Sequence, residues 1–192
     1  MTRRKYHIAA LILCASLLSC SEATEKSVED RVDQLERQLE LRHHKALLSR
    51  MAVSGSEPAA ITTDGCSAGL SIGWQYLATQ VETVRVTHGE LPPWEECCIE
   101  HDRLYHAAVQ VESSPEDSFR TRKKADEELR SCVIDTGFDR ATSLSNEYDV
   151  SVETVEGLYT TIADLMYRTV RVGGMPCSGL PWRWGYGWPA CN

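Results

Sequence analysis

Two adjacent cysteines, Cys97 and Cys98, stand just ahead of a His-Asp pair in the stretch CCIEHDRLYH and constrain this chain more than any other feature. Three uses compete for two thiols, an imidazole and a carboxylate packed so closely. A metal cage would draw on Cys97, Cys98, His101 and His106, but adjacent thiolates chelate awkwardly. A redox thiol pair would follow a C-x-x-C spacing, which is absent here. The third use is a helix clamped by disulfides to two different neighbours and carrying a catalytic base.

The N-terminus weighs on this choice because it reads as an export signal. Arg3, Arg4 and Lys5 precede the apolar run IAALILCASLLSC, which is too short to remain as a membrane span. The run ends in LLSC, which resembles the bacterial lipobox and makes Cys20 the candidate lipidated first residue of the mature chain. Ser21 after that cysteine, by the same resemblance, favours the outer over the inner membrane; the alternative is an ordinary cleaved signal and a secreted product. Removing residues 1–19 moves the formal charge from −8 to −11, which argues against nucleic acid as a partner. Setting aside Cys14 and Cys20 leaves Cys66, Cys97, Cys98, Cys132, Cys177 and Cys191, an even number that in an exported chain reads as disulfides. Six cysteines allow fifteen pairings.

Residues 20–60 read as tether, short stalk helix and linker. Val28, Val32, Leu35 and Leu39 form a heptad-like seam that Arg42 interrupts, so a solvated stalk is favoured over a coiled coil, and the oligomeric state stays open. His43 and His44 are expected on its surface. The globular domain is expected over residues 61–192, mainly helical. TTDGCSAGLSIG is a glycine-punctuated loop, WQYLATQVETV a short helix, and LPPWEECC a helix start. Ser114 and Pro115 open a further helix expected to stop before Gly137. A last helix carries Val152, Val155, Tyr159, Ile162, Met166 and Val170, and ends at Gly173-Gly174.

If residues 95–109 and 115–134 form an antiparallel pair, residue numbers run in opposite directions across the contact. A Cys97–Cys132 disulfide then faces Leu104 with Ala125 and brings His101 opposite Asp126 to within about one helical turn. Cys98 is left free to reach Cys66 and pin the glycine loop, with Asp102 pointing at the same loop. An imidazole held by a buried carboxylate keeps one tautomer and gains basicity at its other nitrogen. A carboxylate beside loop carbonyls is a hard-oxygen site suited to Ca²⁺.

The pattern C-C-x-x-H-D-x-x-Y, with a preceding Gly/Cys loop and a later Asp six residues before Cys, closely resembles the secreted phospholipase A2 family. The loop DGCSAG looks most like its divergent branch, which includes group XII and bacterial members. The resemblance covers about residues 63–135. It implies a core of two antiparallel disulfide-linked helices with a calcium loop, here preceded by a helical stalk. It also implies calcium-dependent hydrolysis of the sn-2 ester of phospholipids in membranes or micelles. Carried over by position, His101 is the base that activates water, Asp102 the side-chain calcium ligand, Asp126 the orienting carboxylate and Tyr105 its hydrogen-bond partner. Gly65, Ser67 and Gly69 are the carbonyl ligands of the metal. Another family disulfide would join the positions of Leu104 and Ala125, and both of its cysteines are absent together. The alternative function is a catalytically silent, calcium-dependent lipid- or protein-binding module on the same scaffold; a structural envelope lipoprotein is a third.

The tail MPCSGLPWRWGYGWPACN sets Trp182, Trp184, Tyr186 and Trp188 between Cys177 and Cys191, the natural third pair. Its aromatics suit either a lipid interface or a cover for the helical core. His106 has no role in the motif and is expected at the surface.

Overall fold

The computed structural model describes residues 31–53, 57–66, 70–108 and 114–191. Cys20, Ser67 and Gly69 lie outside these residues. The chain divides into two units, residues 1–39 and Glu40–Asn192. In the first unit the described residues are helical and exposed, including Val32, Leu35 and Leu39.

The architecture is helical, with no strand among the described residues. Helix α1 spans residues 31–53, and its portion from Glu40 onward belongs to the second unit. Then come α2 (Leu70–Gln80), α3 (Glu82–His88), α4 (Glu95–Ala107), α5 (Pro115–Tyr148) and α6 (Val152–Gly173). The second unit thus begins at Glu40 and not at residue 61. Glu40, His44 and Leu47 follow one another at four and three residues, so they share one helical face, and all three are buried. The exposed Val32, Leu35 and Leu39 agree with a solvated stalk over that stretch, whereas the expectation of a surface His44 is overturned. Polar residues at core spacing look solvent-facing in a sequence because their buried partners lie far along the chain. Among the described residues no helix is long and apolar enough to cross a membrane.

Helix α5 starts as expected, with Ser114 Oγ accepting from the Asp117 amide at 3.1 Å and Pro115 in the first turn. It does not stop at Gly137. A Cβ at that position would run into the Tyr159 side chain, so the glycine lets α5 and α6 approach closely and pays for this only in helix propensity. α4 and α6 both pack on α5, and α5 contributes Leu129, Val133, Ala141 and Leu144 to a core shared with Val155, Tyr159, Ala163 and Met166 of α6. The stretch expected as one short helix breaks at Val81 into α2 and α3.

Three disulfides join Cys66 to Cys98, Cys97 to Cys132 and Cys177 to Cys191. The adjacent cysteines therefore clamp α4 to two neighbours, the loop before α2 on one side and α5 on the other. A thiolate cage at Cys97 and Cys98 is excluded by these bonds.

The tail covers the core. Trp184 is fully buried, with its indole N–H donating to Ser118 Oγ at 3.1 Å, and Trp188 is 8% exposed. The amides of Gly185 and Gly187 donate to the Tyr105 and His106 carbonyls at 2.7 and 2.9 Å, and the Trp188 indole donates to the Ala107 carbonyl at 3.1 Å. These are carbonyls of the last turn of α4, where the i+4 amides of the helix run out; the Tyr105 carbonyl is shared with the amide of the C-cap Ala108 at 3.4 Å. His106 is buried instead of exposed, because its Nε2 bonds the Ala59 carbonyl at 2.6 Å and holds the incoming chain against α4.

Candidate active site

α4 and α5 run antiparallel, and their facing residues build the site. Cys97 meets Cys132, His101 meets Asp126, and Tyr105 meets both Asp126 and Arg122. His101 Nε2 lies 2.9 Å from Asp126 Oδ1, and the Tyr105 hydroxyl donates to the same oxygen at 2.6 Å. All three side chains are buried. The neutral ring that fits this contact carries its proton on Nε2 and donates it to the carboxylate. Nδ1 then keeps a free lone pair.

His101 and Asp102 line a cavity of about 340 Å³. Its other walls are largely apolar, with Trp94, Leu129, Ile162, Leu165, Met166 and Trp182 among them, and Gly65 and the Cys66–Cys98 bridge at the loop side. Such a space takes a hydrocarbon chain up to a polar end. Asp102 Oδ2 accepts from Thr63 Oγ1 at 2.5 Å, and Thr63 Oγ1 in turn accepts from the Gly65 amide at 3.1 Å. The loop therefore meets Asp102 through a threonine that the motif did not single out. Burial raises the Asp102 carboxyl to about 6; the Thr63 bond and His101 oppose this, while Asp64 and Glu95 add to it. Gly65, at φ +72°, sits where a Cβ would collide with the Glu95 carboxylate, so only glycine lets the loop pass this close to α4. Among the described residues no three His, Cys, Asp or Glu side chains converge on one metal position.

Behind Asp126 lies a buried ionic network that the sequence did not reveal. Arg171 Nη1 donates to Asp126 Oδ2 at 2.9 Å, and its Nη2 donates to Glu40 Oε2 at 2.6 Å. Arg122 donates through Nε to the Tyr105 hydroxyl at 3.0 Å, through Nη1 to Glu40, and through Nη2 to the Val170 and Arg171 carbonyls at 2.6 and 3.0 Å. Two guanidiniums and two carboxylates balance inside the fold, where isolated charges would be costly. Burial alone would raise both acids. For Glu40 the His44 bond and the charges of Arg122 and Arg171 outweigh it, and for Asp126 His101, Arg122 and Tyr105 do, so both stay below the ordinary carboxylate range. Burial lowers His44 despite Glu40, and the neutral ring completes a chain of donors with one direction. The Trp184 indole donates to Ser118, Ser118 to His44 Nδ1 at 2.7 Å, and His44 Nε2 to Glu40 at 2.9 Å.

The geometry thus brings together His101, Asp126, Tyr105, Asp102 and Gly65; Ser67 and Gly69 lie outside the described residues. No protein-family model, curated protein or solved structure matches the chain.

Proposed function

We propose that this chain is a calcium-dependent phospholipase A2, with the α4–α5 pair as the disulfide-linked core of that family. The observation that carries the reading is His101, held through Nε2 by Asp126 with its other nitrogen left for chemistry, in the wall of an apolar cavity beside Asp102 and Gly65. In this mechanism Nδ1 takes a proton from water as the water oxygen attacks the sn-2 carbonyl carbon. Asp126, kept ionised by its cationic neighbours, stabilises the imidazolium that forms. The tetrahedral intermediate collapses with cleavage of the bond to the glycerol oxygen. His101 returns the proton to that oxygen, leaving a fatty acid and a lysophospholipid.

The donors fit calcium in chemistry: the Asp102 carboxylate, crowded by Asp64 and Glu95, stands beside a loop able to supply carbonyl oxygens. Asp102 and Gly65 would hold the ion, with Ser67 and Gly69 completing the set by resemblance. Bound there, calcium would polarise the ester carbonyl and stabilise the oxyanion. Fatty-acid release from micellar phosphatidylcholine should require calcium and stop on chelation. A chain that releases none with calcium present is not this enzyme.

The same reading has the protein exported and lipid-anchored through Cys20. Two or more acyl chains anchor stably where one is marginal. Cys20→Ala should therefore move the protein from the membrane to the soluble fraction of its host. Unchanged membrane association would show that another element holds it there.

A further inference from the structure

We infer that Arg171, on the last turn of α6, is a positioning residue for His101, locked in place by Glu40 of α1. The inference rests on the reading of His101 as the base, and it adds two elements that lie outside the helix pair and its motif.

A carboxylate turns easily about its last side-chain torsion, which has a broad minimum and no staggered wells. Asp126 Oδ1 already accepts from His101 and Tyr105, so what fixes the plane of the group is the partner of Oδ2. That partner is Arg171, at 2.9 Å. Arg122 does not substitute for it. Its Nη2 stands 3.7 Å from Oδ2, and all three of its nitrogens are engaged with Tyr105, Glu40 and the end of α6. Arg171 is itself fixed at both tips, one on Asp126 and the other on Glu40 at 2.6 Å. Glu40 is anchored in turn by His44 and Arg122. The order of dependence is therefore Glu40, Arg171, Asp126, His101. Lysine keeps the charge at this position but not the fork, and one ammonium cannot reproduce two directed bonds to separate carboxylates.

The test uses the full ¹⁵N-labelled chain at neutral pH, with the His101 ring signals identified by their loss in His101→Gln. Wild type should show a protonated Nε2 and a bare Nδ1. In Arg171→Lys and Arg171→Gln the two resonances should move toward each other as the tautomers mix. On dispersed short-chain phosphatidylcholine, kcat should fall about tenfold for Arg171→Lys and about a hundredfold for Arg171→Gln, with KM within about twofold. Glu40→Gln combined with Arg171→Gln should lose no more than Arg171→Gln alone, because both act through one carboxylate. An unchanged His101 tautomer in Arg171→Lys, a fully additive double variant, or a rise in KM at constant kcat would overturn the inference. Should Arg171→Gln fail to fold, Arg171→Lys decides the matter. If wild type hydrolyses no ester, the phospholipase reading falls, and the tautomer spectra alone still decide for or against Arg171.

Discussion

His101→Gln should lower hydrolysis of micellar phosphatidylcholine by roughly 10²–10⁴-fold, the range a general base contributes, while calcium binding stays largely intact. Glutamine fills similar space and can still meet Asp126, but it accepts no proton from water. Asp102→Asn should lose activity and calcium binding together, since the hard-oxygen site depends on that carboxylate. Asp126→Asn should be milder, about tenfold to a hundredfold, because it disturbs the orientation of the base without removing it. Calorimetry with calcium on the three variants, beside rates and melting temperatures, separates these roles. A His101→Gln protein that remains active would end the phospholipase reading.

The largest effect on stability is expected from Arg122→Met. Arg122 is fully buried, and its loss leaves Glu40 and Asp126 with one cation fewer, so that Arg171 alone faces two buried carboxylates. Removing one partner of a buried ion pair is destabilising by about 3–5 kcal/mol, which for a unit of this size lowers Tm on the order of 10 °C. The end of α6 also loses the donor to its Val170 and Arg171 carbonyls. The effect has a pH signature. In wild type Glu40 and Asp126 are held below their ordinary values, so their stabilisation is full above the ordinary carboxylate range and fades as pH falls through the depressed values. In the variant those acids lose a cation and rise, so the cost of keeping them charged is relieved by acid. The Tm gap between the two proteins should narrow from neutral pH toward pH ~4. A gap that stays constant across that range would mean the loss is one of packing and not of charge.

Glu40→Gln added to Arg122→Met should recover part of the stability, because it restores the balance of one buried cation, Arg171, to one buried carboxylate, Asp126. Buried pairs behave this way: losing one member is far worse than losing both.

How much of the site was legible from residue order follows from which partners are local. On one helix, spacing determines face, so Cys98, Asp102 and Tyr105 could be placed together, and His101 beside them. Between two helices joined by one disulfide, antiparallel register determines the facing residues. Cys97–Cys132 therefore carries His101 to Asp126, and the structure has them 2.9 Å apart. The same logic leaves Cys98 for Cys66. α5 runs on to Tyr148 although a glycine in a helical pattern signals a stop, and nothing nearby in sequence announces that Tyr159 needs the space.

The ionic network behind Asp126 is of another kind. Glu40 meets Arg122 and Arg171 across 82 and 131 residues, and an acid has no sequence mark that chooses among a chain's many basic residues. A trace existed in Glu40, His44 and Leu47, spaced as one helical face, but such a polar face reads as solvated until its buried partners are known. The tail posed the same difficulty. An aromatic ring gains by leaving water whether it enters lipid or a protein core, so composition alone could not choose. Trp184 found Ser118, and Trp188 found the Ala107 carbonyl at the end of α4. Helical spacing and disulfide register, which are short-range geometry, were determined by sequence alone. The identity of buried charge partners and the destination of the aromatics were decided by tertiary packing, because each depends on which distant surfaces share the same few ångströms.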